Sequence, residues 1–376
     1  LANYDPVTQT LVIPGQGGAS RSTLDTNHKN FGPRLGFNYL LNDRTSIRGA
    51  YGIFFSPDRG GIDNELTENP PAVITEFRFS GPGSNVHLWD PIPLPTPVNA
   101  NSPDLPQGSG IVYIPRDSKT PRVREWSLGG QYELTPHTSA MLSYVGTRAN
   151  NLATVLSSAG FGGPVNTRLT VIEYIGMAKY NALQASLREQ TNYGLSYLAS
   201  YTFGNARNDG PGFFPGNPSR GGQPTDPNCG DPLKHCDLSP DYGPADYDVR
   251  HRFTLAGTYE LPWAKGNALL GGWGANSVIT VQSALPYSEY NNSGARVGGR
   301  NAFRGRGYHT VDLGLYKNVG IPRRGQFQVR IEGFNIFNWK QYGQPNNNPD
   351  DPQFGQVTTT INNSERQIQI GGRYIF

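Results

Sequence analysis

Residues 366–376, RQIQIGGRYIF, decide how this chain reads. Ile368, Ile370, Tyr374 and Phe376 fall on one parity, with Gly372 between them. Gln367, Gln369, Gly371 and Arg373 fall on the other, with Ile375 as the one exception. A period of two describes a strand with one apolar face and one polar face. Chain ends normally fray in water. A terminal aromatic in mid-strand therefore asks for surroundings other than water on one side.

The same alternation recurs upstream. REWSLGGQYEL sets Trp126, Leu128, Tyr132 and Leu134 against Glu125, Ser127, Gln131 and Glu133. HRFTLAGTYEL sets Phe253, Leu255, Tyr259 and Leu261 against Arg252, Thr254, Thr258 and Glu260. TSIRGAYGIFF and LSYLASYTF repeat it, and similar segments lie near 34–41, 139–146, 180–188, 277–285, 310–317 and 327–337. The pattern predicts about eleven strands, each near the 9–11 residues that cross a bilayer when tilted.

Composition agrees with an all-β chain. With 47 Gly and 31 Pro in 376 residues, both stand above average use and cluster between the strand-like segments. No amphipathic stretch of helical period appears, and apolar runs are too short for a transmembrane helix. The net charge of +3 is mixed in sign and gives no nucleic-acid footprint. The segment LANYDPVTQT has neither the basic start nor the apolar centre of a signal peptide.

Connection lengths then separate two all-β readings. Short links fall at LNDRT, TPHT, TNYG, LPWAKG and GIPRRGQ, whereas long ones occupy 57–122, 148–178, 206–247, 287–308 and 340–364. A soluble sandwich has no reason to alternate short with long. An outer-membrane barrel does, because its periplasmic turns are short and its extracellular loops long. The expected fold is an antiparallel transmembrane β-barrel, with residues 1–29 as an extracellular loop and 30–376 as barrel. The last strand then runs inward and ends at the inner interface, where aromatic girdles lie.

Four stretches carry a family resemblance. NFGPRLGFNYLLNDRTSIRGAYGIFF, YNALQASLREQTNYGLSYLASYTFGNARND, DYDVRHRFTLAGTYELPW and FQVRIEGFNIFN resemble the C-terminal barrel half of TonB-dependent outer-membrane transporters. The nearest likeness is to the Oar-like branch, whose members carry a carboxypeptidase-regulatory-like domain. The resemblance implies the C-terminal half of a 22-stranded barrel. Its partners would be outer-membrane lipid, an N-terminal barrel half with its plug, TonB and the barrel-assembly machinery. Ile368, Ile370, Tyr374 and Phe376 resemble the terminal signal that this machinery reads.

Candidate functional residues follow from parity. Arg48, Arg188, Arg252, Glu260, Arg330, Glu332 and Arg373 should point into the lumen, where they either grip a plug or simply sit on a wet face. An Arg facing lipid at mid-bilayer would cost about 2–4 kcal/mol. Trp126, Tyr132, Tyr259, Trp263, Trp273, Tyr374 and Phe376 fit an interfacial girdle, by parity and by closeness to short turns, better than sugar-stacking platforms. Cys229 and Cys236, in DPNCGDPLKHCDL, read as a disulfide closing a small extracellular loop rather than as a metal site with His235 and Asp237. NNNPDDPQ at 346–353 reads as a turn-rich surface loop rather than a calcium site. No nucleophile motif or cofactor motif is visible, so an enzyme is not expected.

The leading expectation is TonB-dependent uptake of a scarce or large ligand. A surface-binding barrel without import, and a secreted glycan-binding sandwich, are the competing readings.

Overall fold

The computed structural model describes residues 2–56, 65–67, 69, 110–158, 168–191, 193–209, 224–262, 267, 270–321 and 325–375. Eleven strands follow one another around a single sheet. They are β1 (Arg34–Asn42), β2 (Thr45–Phe55), β3 (Arg122–Thr135), β4 (Thr138–Ser158), β5 (Arg168–Gln190) and β6 (Leu195–Asn208). They continue with β7 (His251–Glu260), β8 (Trp273–Gln282), β9 (Tyr308–Ile321), β10 (Gly325–Phe334) and β11 (Gln367–Ile375). Each of the eleven pairs antiparallel with its neighbour in chain order, and two short strands, Gly110–Tyr113 parallel to β5 and Gly243–Pro244 antiparallel to β6, bring the sheet to thirteen. Among the described residues there is no α-helix, and the other sheets are two-stranded hairpins rather than a second layer facing the whole of the first, which removes the sandwich reading. The sheet is open, with β1 and β11 as its edges.

Hairpin chemistry explains the meander. Links 43–44, 136–137 and 191–194 gather at one end of the sheet and the long excursions at the other. Gly194 sits at φ 83°, and a Cβ there would stand 2.3 Å from the carbonyl oxygen of Glu260. Only glycine fits that turn without strain.

Two expectations about the long connections change. The excursion 148–178 is mostly regular, because β4 and β5 run 21 and 23 residues and stay paired out to Ser158 and Leu169. That is roughly twice the length a bilayer needs. The ladder continues because Val155, Leu156, Val171 and Ile172 are buried along the extension. Residues 1–29 are not featureless either. Asn3–Asp5 pairs with Thr10–Val12 as a small hairpin.

The buried core lies in this outer cap and not behind the sheet. On one side of the β4–β5 extension, Leu156, Leu169 and Val171 pack with Ala2, Tyr4, Leu11, Ile111, Cys236 and Leu238. On the other side, Val155 and Ile172 pack with Leu66, Val112 and Ile114. Asn3 and Asn69 stitch the cap together. The Asn3 amide donates to Ile114 O at 2.7 Å, and the Asn69 amide to Val112 O at 2.8 Å. Each side-chain carbonyl in turn accepts the N–H of the same residue, so the buried backbone there is satisfied.

Candidate functional site

Register carries a face assignment from one edge of the sheet to the other, because directly paired residues project to the same side. Arg48 pairs with Asn38 and Gly129, Arg188 with Ser139 and Leu198, and Arg252 with Thr202 and Gln282. Glu260 pairs with Gly274, which pairs with Tyr316, which pairs with Arg330. Glu332 pairs with Gln369, and Arg373 with Gln328. Following these pairs places all seven charged candidates on one face. Ser127, Ser143, Gln184, Ser186, Thr254, Thr280 and Asn318 share it. It is a continuous polar surface.

Contacts on this face are sparse. Arg330 Nε lies 3.6 Å from Glu332 Oε2, and the Gln369 amide donates to the same oxygen at 2.6 Å. Arg48 reaches Met141 Sδ at 2.6 Å, two strands away, over the intervening Gly129. Among the described residues Arg188, Arg252 and Arg373 form no ion pair, and each is exposed.

The opposite face is apolar. Leu128, Leu255, Ile279, Leu313 and Ile370 share it, and Ile370 is 76% exposed. Leu35 is 72% exposed on the same face. An apolar band this wide on a folded chain marks a surface covered by something other than water, and the height of the strands matches a bilayer. Tyr132, Tyr259, Trp273 and Tyr374 stand on it at the short-turn end, where Tyr374 pairs with Phe327. Trp126 differs: it sits near the start of β3, at the long-loop end, facing Tyr51 and Gly146. Trp263 and Phe376 lie outside the described residues.

The long connections form the third part of the site. Cys229 and Cys236 are bonded to each other, with Cα atoms 4.5 Å apart and Cys236 inside the cap core. Asp226, at the foot of this loop, accepts from the N–H of Asn228 at 2.9 Å and of Asp237 at 2.8 Å. These two bonds hold its carboxyl below the usual range. Three Arg–Asp contacts, invisible in the sequence, lock residues 224–250 to residues 283–307. Arg296 Nη1 lies 2.7 Å from Asp241, Arg300 Nη2 3.5 Å from Asp246, and Arg304 pairs with Asp248. Arg296 and Asp241 are almost fully buried, and Thr225 completes the group by donating to Asp241 from both its N–H and its hydroxyl.

The 346–353 loop packs as turns. Asp351 accepts from Gln353 N–H and the Asn346 amide, and no metal-ligating cluster occurs among the described residues. Beside the N-terminal hairpin a cleft of ≈ 480 Å³ opens between Tyr4, Asp5, Tyr113 and Asp117, with the Asp25–Arg116 pair on its wall. The site is thus a polar wall below a cap tied by ion pairs and a disulfide.

Residues 1–299 and 294–369 match the family model of an outer membrane beta barrel domain. No curated protein sequence matches the chain. Solved structures with a similar fold include the outer membrane transporter YddB from Escherichia coli, at 11% identity and TM-score 0.54, covering 88% of this chain and 38% of that one. The FrpB iron transporter from Neisseria meningitidis aligns at 12% identity and TM-score 0.52, covering 91% of this chain and 39% of that one. The ferripyoverdine receptor of the Pseudomonas aeruginosa outer membrane, bound to ferripyoverdine, aligns at 13% and 0.50, covering 91% and 32%. The chain spans between 32% and 39% of the length of these three.

Proposed function

This chain belongs to the outer membrane beta barrel domain family, and on that premise we propose that it is part of the wall and cap of a TonB-dependent importer. Its place is the outer membrane, and its fold is that of a transporter barrel. The observation that carries the reading is the polar face. A narrow barrel fills its interior with side chains, whereas a wide one keeps a wet lumen or a plugged one. Eleven strands with unpaired arginines on the inner side suit a wide lumen that holds a plug.

The two open edges support the same reading. β1 and β11 both run toward the short-turn end, so joining them directly would need one parallel pair in an otherwise antiparallel barrel. Bacterial barrels of this type have even strand numbers. Further strands between the two edges would leave no unpaired backbone in lipid, where each orphan group costs several kcal/mol. Arg188, Arg252 and Arg373 then meet acidic or carbonyl groups of a plug, and the cap selects the ligand. Ile368, Ile370, Tyr374 and Phe376 serve as the signal for the assembly machinery.

The test is uptake in one host carrying three genotypes: intact, lacking this protein, and lacking TonB. A panel of ferric chelates, cobalamins and oligosaccharides is offered at low concentration. The expected result is a ligand whose uptake is lost equally in both deletions. A ligand bound at the surface by this protein, with uptake indifferent to TonB, would leave the surface-binding reading in its place.

A further inference from the structure

The apolar face carries one row that does not belong in hydrocarbon. Arg124 pairs directly with Arg148, Arg148 with Lys179, and Lys179 with Arg207. Four basic side chains on four adjacent strands thus stand shoulder to shoulder on the outward side, in a row about 15 Å long at ordinary strand spacing. Like charges placed directly opposite across a ladder are destabilising, and here the conflict is repeated three times.

No acidic side chain among the described residues relieves it. Among the described residues none of the four forms an ion pair, and only Arg207 has a partner, with its guanidinium 5.0 Å from the centre of the Tyr242 ring. The nearby acids are engaged elsewhere. Asp209 accepts the N–H of Met177, and Asp241 pairs with Arg296. Arg148 and Lys179 are exposed.

Height and shape say what the row meets. Arg124 lies two residues beyond Trp126, about 7 Å further from the short turns. Leu128, Tyr144, Leu183 and Phe203 follow below, paired strand to strand. The charges therefore sit just outside an aromatic at the outward rim of the apolar band, which is headgroup height. Between the row and the overhanging segment 239–242 lies a cleft of ≈ 410 Å³, lined by Arg148, Met177, Lys179, Ser239 and Tyr242. Arg148 and Lys179 with Met177 line it from the strands, and Ser239 and Tyr242 from the facing segment.

We propose that Arg124, Arg148, Lys179 and Arg207 form a binding site for the phosphate groups of an anionic lipid in the outward leaflet, with the headgroup in the cleft beneath Tyr242. Phosphate oxygens accept from several guanidinium and ammonium groups at once, and the acyl chains continue down the apolar face. This site is on the opposite side of the wall from the lumen and does not depend on import.

The full protein, extracted from the membrane in neutral detergent, is titrated with diphosphorylated lipid A, with its dephosphorylated form and with inorganic phosphate. The expected result is selective binding of the phosphorylated lipid, not displaced by equimolar inorganic phosphate. The variant Arg148→Gln/Lys179→Gln should bind it about thirtyfold more weakly, at roughly fivefold per lost charge. The swap Arg148→Lys/Lys179→Arg should retain binding, and Lys29→Gln/Lys119→Gln, which removes two loop charges elsewhere, should leave it unchanged. Lys179→Gln alone reads the same loss at about fivefold if the double variant assembles poorly. Equal binding of the dephosphorylated lipid, or unchanged binding by the folded glutamine variants, overturns the proposal and leaves the row to an acidic protein partner. Full displacement by inorganic phosphate overturns it in favour of a soluble anion.

Discussion

Trp126 lies against Gly146 across the β3–β4 hairpin, and its indole occupies the space that any side chain at Gly146 would need. A Cβ on Gly146 would stand 2.3 Å from the ring. The pair is directly opposed in the ladder, and a glycine inside a strand commonly marks such a close approach. Gly146→Val should drive the indole out and lower the amount of folded barrel, measured by heat-modifiable gel mobility. Adding Trp126→Ala to Gly146→Val should recover part of the loss. If Gly146→Val assembles like the parent, the packing is not needed.

The two faces of β10 give a sharper contrast. Ile331 pairs with Leu315 and Ile370 on the apolar side, while Arg330 next to it belongs to the polar side. Ile331→Arg should cost about 2–4 kcal/mol in lipid and abolish assembly. Arg330→Gln should leave folded protein near the parent level. Equal yields of the two variants would reverse or erase the face assignment.

For the Cys229–Cys236 bridge, the chain-entropy estimate for so short a loop is about 2–3 kcal/mol. Cys229→Ser/Cys236→Ser should expose residues 224–250 to external protease on whole cells. The barrel itself should keep its heat-modifiable mobility, since the bridge lies in the cap. Unchanged nicking would make the bridge dispensable.

Acid should loosen the same loop. Asp226 has its carboxyl depressed by two backbone N–H bonds, so its contribution is fully present above the ordinary carboxylate range near pH 4 and fades as pH falls through the lower folded value. Pepsin nicking of residues 224–250 should rise on acidification through that window. In Asp226→Asn the rise should flatten. A parent and a variant with the same pH profile would remove Asp226 from the account.

At the chain's end, Phe376→Asp should reduce assembled barrel more than Ile375→Asp, because the alternation puts Phe376 on the lipid parity with Ile370 and Tyr374. Heat-modifiable mobility of the two variants decides it, and equal levels would end the proposed role of the terminal aromatic.

Strand number and the division of residues between two faces were legible in the sequence because one physical rule governs both. Residues such as Leu255 and Arg252 alternate without interruption, and period two means strand. The cysteine bridge was equally open to reading, as two cysteines seven residues apart in an exported loop. What stayed hidden is long-range. Leu156 and Val171 look like loop residues until Ala2 and Ile111, far away in sequence, arrive to bury them. The Arg296–Asp241 contact joins two irregular segments that share no period at all. Parity puts Trp126 on the correct face, but its expected closeness to a short turn fails, because it stands near the start of β3 and the 136–137 link follows that strand's end. The basic row needs register, since Arg124, Arg148, Lys179 and Arg207 lie in four different strands.

The cap core also dates itself. Ala2 and Leu11 come from the beginning of the chain, Ile111 and Leu169 from its middle, and Cys236 and Leu238 from beyond the sixth strand. Contacts of such sequence separation form slowly, because the intervening loops must close first. The cap core therefore cannot be complete until residues 2 to 238 have all reached the same side of the sheet. An antibody that recognises only the joined cap would report that event separately from the pairing of the last strand.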